Sequence, residues 1–141
     1  MYNLKIYEYL TEYSRKIREK VFVEEQKFQN EFDDKEDSSL HFVLFNDDKA
    51  VGTARMFTED NGKTYHIGRI AVLKEYRGEH LGSKLVNAAC EKAKDFGAEK
   101  CIISAQCRVK GFYNTLGFKE YGEEYLDEYC PHISMEKELW I

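Results

Sequence analysis

The sequence predicts a mixed α/β domain on one mixed sheet, with an antiparallel meander of strands followed by a βαβ crossover. Three features predict it. Apolar stretches of strand length recur through the first half with turn-forming residues between them, a long amphipathic helix follows, and a short apolar strand comes directly after that helix. A chain of 141 residues fits a single domain spanning positions 1–141. Its 43% hydrophobic and 14% aromatic content supplies a packed core and sets it apart from disordered chains.

Asn3-Leu4-Lys5-Ile6-Tyr7 alternates polar and apolar residues, the period of a half-buried strand. Thr11 and Ser14 then introduce a helix reaching to about Glu25, with Ile17, Val21 and Phe22 at helical spacing. Arg15, Arg18 and Glu19 fall mostly elsewhere on the wheel. From 26 to 39 the periodicity stops and Glu31, Asp33, Asp34, Glu36 and Asp37 crowd together; the stretch reads as a loop, most simply a solvated connector. Strands at 40–45 and 50–57 flank Asn46-Asp47-Asp48-Lys49, whose tight-turn composition makes them a hairpin. The Asp60-Asn61-Gly62 turn leads to a further strand at 65–72.

A helix at about 81–96 comes next, with Leu81, Leu85, Val86, Ala89 and Ala93 as its apolar stripe and Gly97 as its stop. The strand at 101–105 is expected to lie parallel to that at 65–72, because a helical crossover separates them. A short helix at 112–116 ends at Gly117, and strands near 118–122 and 132–138 finish the chain.

Several function classes are disfavoured. The four cysteines, Cys90, Cys101, Cys107 and Cys130, show neither Cys-x-x-Cys pairing nor a histidine at zinc-finger spacing, so no metal site is expected and free thiols in a reducing cytoplasm are. The N-terminus has no charged head followed by an apolar run, and no apolar stretch approaches bilayer length, so neither secretion nor membrane insertion is signalled. A net charge of -5, with a pI near 5.5, argues against nucleic-acid binding, which needs a basic face. The acidic balance suits a cationic or amine partner, though it speaks mainly to solubility.

The strongest local feature is the segment Arg77-Gly78-Glu79-His80-Leu81-Gly82-Ser83, between the strand ending Ile70-Ala71-Val72 and the long helix. The first N–H groups of a helix have no intrahelical partner and its dipole favours an anion, so a strand, a glycine-containing turn and a helix in succession form an anion site. Gly78 and Gly82 let backbone approach a ligand, and Arg77 offers a charge-assisted contact to phosphate. Ser83-Lys84 after Gly82 is the wrong order for a Walker A loop, and no Gly-x-Gly-x-x-Gly is present. By itself such a turn serves equally as a structural cap.

Gly68-Arg69-Ile70-Ala71-Val72 followed by Tyr76-Arg77-Gly78-Glu79-His80-Leu81-Gly82 resembles motif A of the GNAT superfamily of N-acetyltransferases, Arg/Gln-x-x-Gly-x-Gly/Ala, with His80 where glycine is usual. Phe112-Tyr113-Asn114-Thr115-Leu116-Gly117-Phe118 is similar to the superfamily's later Phe-Tyr-x-x-x-Gly-Phe signature. Arg18 to Gln26, the acidic loop leading to His41, Ala105-Gln106 and Pro131-His132-Ile133-Ser134-Met135 resemble the ElaA-like branch, so the likeness spans nearly the whole chain. It implies a GNAT-type acyl-CoA N-acyltransferase fold with central strands splayed near Val72. Ile70, Ala71 and Val72 would meet the pantetheine arm of acetyl-CoA, backbone amides from Arg77 to Ser83 would hold its pyrophosphate, and Gln106, Phe112 and Tyr113 would line the opposite wall.

Acetyl transfer to an amine requires a neutral nucleophile, stabilisation of the developing oxyanion, for which a backbone N–H near Val72 is suited, and protonation of the departing thiolate. Tyr113 is the general-acid candidate, on its phenol and on the likeness. His66 is the candidate base: by the period of two it shares a strand face with Ile70 and Val72, and water is the alternative. His41 and His132 follow from the likeness alone, and Glu24 and Glu25 read as a solvated helix end that could also meet a cationic acceptor. The expected activity is transfer of acetyl from acetyl-CoA to a small-molecule or peptide amine in a ternary complex without a metal; the competing reading is a non-catalytic acyl-CoA sensor. The likeness also allows a homodimer through the terminal strands.

Overall fold

The computed structural model describes residues 1–140. Seven strands form one sheet: β1 (Tyr2–Tyr7), β2 (Leu40–Asn46), β3 (Lys49–Phe57), β4 (Thr64–Val72), β5 (Lys100–Gln106), β6 (Lys119–Asp127) and β7 (Cys130–Glu138), in the order β1-β2-β3-β4-β5-β7-β6. Neighbours are antiparallel except β4 and β5, which run parallel across the crossover helix α2 (Leu81–Asp95) as the sequence predicts. α2 buries Leu81, Leu85, Val86, Ala89 and Ala93 against one face of the sheet. The opposite face carries α1 (Glu12–Arg18), which Thr11 caps by accepting the Ser14 N–H at 3.2 Å.

The expected first helix reaches Glu25, but its second half, Glu19–Glu25, is a π-helix, with the Gln26 N–H reaching back to the Val21 carbonyl at 3.1 Å. Ile17, Val21 and Phe22 pack with Phe28, Ala71 and Leu73 in a smaller apolar cluster on this face. Arg18, placed off the apolar stripe by sequence, is only 1% exposed.

Its partners correct the reading of 26–39 as a solvated connector. Glu31 and Glu36 are buried; Arg18 Nε donates to Glu31 at 2.9 Å and Arg18 Nη2 to Glu36 at 2.7 Å. From β3, Arg55 Nη1 donates to Asp33 at 2.7 Å, and from β4, Arg69 holds the Glu31 carbonyl at 3.0 Å through Nη2. Buried carboxylates persist when paired and hydrogen-bonded, and helix and strands supply three arginines to do so. The acidic run is therefore a layer against the sheet.

Two features of β4 shape the site. Pairing with β5 covers only Thr64 to Ile67, opposite Lys100 to Ile103; from Gly68 and Ser104 onward the strands part. On its other side, Thr53 opposes Ala71 and Arg55 opposes Gly68, so Arg69 and Ile70 together face the single residue Ala54, a β-bulge with Arg69 at φ 50°. The extra residue shifts the alternation. Ile67, Ile70 and Val72 pack toward α2 while Ala71 packs toward α1, so His66, next to Ile67, lies on the face opposite Ile70 and Val72. The period-two placement of His66 beside them is thereby overturned.

Candidate active site

Where β4 and β5 part, a cavity of about 370 Å³ opens between Gly68 to Val72 on one strand and Ile103, Ser104 and Gln106 on the other. Phe112 and Tyr113 close one side from α3 (Lys110–Thr115). Gln26, Phe28, Glu31, Asp127 and His132 close the other. A second hollow adjoins it through Val72, Arg77 and Phe112 and is walled by Gly78, His80, Leu81, Gly82 and Ser83. Every strand-end and turn residue picked out by sequence, except Glu79, borders one of these two spaces.

The turn is built for close approach by backbone. Gly78 sits at φ 90°, open to any ligand on its Cβ side, and His80 caps α2 in the left-handed region at φ 61°. That conformation costs a non-glycine residue about 1 kcal/mol, so the position usually held by glycine keeps its geometry with histidine in place. Leu81 is buried under the turn. A Cβ on Gly82 would meet Phe112 Cζ at 3.3 Å, so glycine here lets the α3 aromatic seat against the start of α2.

Two side chains differ from expectation. The Arg77 guanidinium is not directed at a phosphate: it donates to both Glu25 oxygens at 2.9 and 3.0 Å, and its Nε to the Val72 carbonyl at 2.9 Å. The carboxylate at the end of the π-helix draws it across the end of β4, so Glu25 is an engaged residue, not a solvated one. Glu79 accepts the Tyr2 hydroxyl at 2.9 Å, which raises the Tyr2 pKa. Only the backbone of Arg77 and Glu79 remains for the turn's anion-binding role.

Tyr113 is 8% exposed, with its ring edge-on to Phe112 and Phe118. Burial pushes its pKa up to about 12, so the phenol stays protonated through the neutral range. His66 is stacked on Phe57 with centroids 5.0 Å apart, lies 3.7 Å from Glu59, and borders neither space. His41 is 1% exposed, with Nε2 on the Glu36 carbonyl at 2.9 Å; burial depresses its pKa, and it too borders neither space.

Sequence reasoning missed a clasp. In the β6–β7 turn, Glu128 accepts the N–H groups of Gln29 at 2.9 Å and Asn30 at 3.0 Å, Tyr129 stacks on Phe28 at 5.3 Å, and its hydroxyl donates to the Gln26 carbonyl. Gln26 is tied in turn to Gln106, whose Nε2 donates to its Oε1 at 2.8 Å. These contacts join residues 80 or more apart in sequence, and no local pattern announces them. The bulge had one signal, Gly68, since glycine inside a strand pattern marks such irregularities. Among the described residues no group of three or more His, Cys, Asp or Glu is placed to hold a metal ion, and no helix is long and apolar enough to cross a membrane.

Comparison with known proteins gives this geometry a context. Residues 9–139 match the model of the acetyltransferase (GNAT) domain. The Bacillus subtilis protein named uncharacterized N-acetyltransferase YjcF is 36% identical, covering 86% of this chain and 88% of its own. Escherichia coli ElaA is 30% identical over 87% of this chain and 84% of its own length, and its crystal structure superposes with a TM-score of 0.87, covering 97% and 99%. An acyl-CoA N-acyltransferase structure from Pseudomonas aeruginosa superposes at TM-score 0.83, with 25% identity, covering 97% and 98%. A GNAT family acetyltransferase from Elizabethkingia anophelis, solved with acetyl-CoA bound, shares the fold at TM-score 0.75 and 16% identity, covering 98% of each chain.

Proposed function

The chain belongs to the GNAT acetyltransferase family, and on that premise we propose that it transfers the acetyl group of acetyl-CoA to a primary amine of a small molecule or peptide, directly, within a ternary complex. The observation that carries the reading is the parting of β4 and β5 beside Tyr113, continuous with the turn at Gly78 to Ser83. The residues present fit the co-substrate. Gly78 leaves the turn open on its Cβ side, Gly82 seats Phe112, helix α2 begins there, and the β4 edge facing β5 has backbone groups without a strand partner from Gly68 on. The relative solved with acetyl-CoA bound has the same fold.

In this reading the pyrophosphate rests on the amides of Arg77 to Ser83. The pantetheine arm runs along Ile70, Ala71 and Val72, with Gln106, Phe112 and Tyr113 opposite. A free N–H on the β4 edge near Val72 faces the carbonyl oxygen as charge develops. Tyr113 hydrogen-bonds the leaving sulfur. With its pKa near 12, full proton transfer to an ordinary thiolate is uphill. The same burial raises the thiolate's basicity, which brings the two closer. His66, on the wrong face and outside the cavity, has no part in this scheme. The four free thiols suit the reducing cytoplasm as its setting.

The test is to offer a broad panel of amines with acetyl-CoA and follow thiol release, alongside calorimetric binding of acetyl-CoA. Turnover on an amine with Tyr113-dependent rate supports the proposal. Binding without turnover on any amine would favour an acyl-CoA sensor, and failure to bind would remove both readings.

A further inference from the structure

The proposal above leaves the amine's proton without an acceptor, because His66 and His41 do not border the cavity. A different histidine does. His132, on β7 opposite Gln106 of β5, is 5% exposed and lines the cavity that Tyr113 also lines. Its ring is stacked on Tyr125 with centroids 6.0 Å apart and meets the Phe28 edge at 6.4 Å.

The hydrogen bonding fixes which nitrogen is basic. Nδ1 lies 2.9 Å from the Cys130 carbonyl oxygen, and a carbonyl can only accept, so Nδ1 carries the hydrogen. In the neutral ring the lone pair is therefore on Nε2. Nε2 makes no hydrogen bond in the structure; its nearest charge is the Asp127 carboxylate at 4.0 Å. Other charges lining the cavity are Glu31, Glu128, Arg69, Arg77 and Arg108. Glu31 is neutralised by Arg18 and Arg69, Arg77 by Glu25, and Glu128 is held by two loop N–H groups. Arg108 is turned to Gln106, donating to its Oε1 at 2.9 Å, which leaves Asp127 as the carboxylate beside Nε2.

We propose that His132 is the general base of this site, taking a proton from the acceptor ammonium on Nε2, with Asp127 as the positioning residue that stabilises the resulting imidazolium. This rests on the acetyltransferase reading and deepens it. The protons balance. Of the two that the ammonium sheds, His132 takes one before attack and passes it to solvent; the N–C bond then forms, the C–S bond breaks, and the thiolate takes a proton from Tyr113. Tyr113 recovers its proton from the second one released by the nitrogen. Acetyl-CoA and an ammonium become an amide, free CoA and one solvent proton.

Two measurements on the full chain test it. In long-range ¹H–¹⁵N spectra of histidine-labelled protein, the neutral His132 ring carries its hydrogen on Nδ1; a hydrogen on Nε2 overturns the proposal. With the best amine of the panel, His132→Gln lowers kcat/KM by about 10²–10⁴-fold and removes the acidic limb of the pH profile. Acetyl-CoA affinity stays unchanged, and Asp127→Asn lowers kcat by a smaller factor while the acceptor KM holds. A His132→Gln enzyme within about threefold of the parent at every pH removes this proposal alone. A parent chain that turns over no amine removes the acetyltransferase reading together with it.

Discussion

The two sides of the cavity are built by different means. The α2 side is made from a strand end, glycines and a helix start contiguous from Ile70 through Ser83, with Phe112 and Tyr113 added from α3. The acidic-layer side is made from side-chain pairings between separate segments: Arg18 with Glu31 and Glu36, and, over 80 residues or more, Glu128 with Gln29 and Asn30 and Gln26 with Gln106. A backbone cradle suits a constant ligand, since it reads shape and phosphate charge with little help from side chains. A wall of paired charges and a clasped hairpin can be varied one residue at a time, which suits the part of the reaction that differs between enzymes. Mutations on the two sides should therefore separate acetyl-CoA binding from stability and acceptor use.

The largest effect belongs to Arg18→Met. It takes from buried Glu36 its main cation and from Glu31 one of two, Arg69 remaining, and breaking a buried pair from one side costs about 3–5 kcal/mol. Chemical denaturation should show a loss of that size. The pH dependence has a defined sign. Burial works to raise the Glu36 and Asp33 pKa values, but Arg18 and Arg55 outweigh it and hold both below the ordinary carboxylate range. Folded values lowered relative to unfolded ones give stability that is complete above the unfolded values, roughly 4 to 4.5, and is lost as pH falls through the folded ones. Glu31 works the other way, because burial outweighs its arginines and raises its pKa, so thermal melts of the parent should fall there by the Glu36 and Asp33 share, and those of Arg18→Met less so.

Gly82→Val drives a branched side chain into the space where Phe112 Cζ already stands 3.3 Å from a bare Cβ. Acetyl-CoA affinity should drop by about 10-fold or more in calorimetry as the start of α2 shifts, and the melting temperature should fall as well, since overpacking costs the fold about 1–3 kcal/mol. Tyr113→Phe should lower kcat by about 100-fold while acetyl-CoA affinity holds. Glu128→Ala releases the clasp and should raise the acceptor KM by about threefold without touching acetyl-CoA binding. If Glu128→Ala weakened acetyl-CoA as much as the acceptor, the division between the two sides would be wrong.

This contrast also explains what could be read in advance. The α2 stripe, the Gly97 stop, the turn and the Phe112-Tyr113 pair were legible because each is a local pattern whose geometry follows from its own residues. The burial of Arg18 was not, because it depends on carboxylates 13 and 18 positions away and on a π-helical turn that the apolar spacing does not reveal. His66 was misplaced for a related reason: period-two counting holds only along an unbroken strand, and one extra residue at Arg69 reverses it. β6 was read as ending near 122, but it continues to Asp127 as an exposed edge with little apolar alternation to mark it.

Hydrogen exchange across the whole chain, with and without saturating acetyl-CoA, tests directly whether the turn and the β4 edge hold the co-substrate. Strong protection is expected of the amides from Arg77 to Ser83 and along the β4 edge from Gly68 to Val72, with the acidic layer at 31–37 nearly unchanged. Protection centred on the acidic layer, or none at the turn, would contradict it.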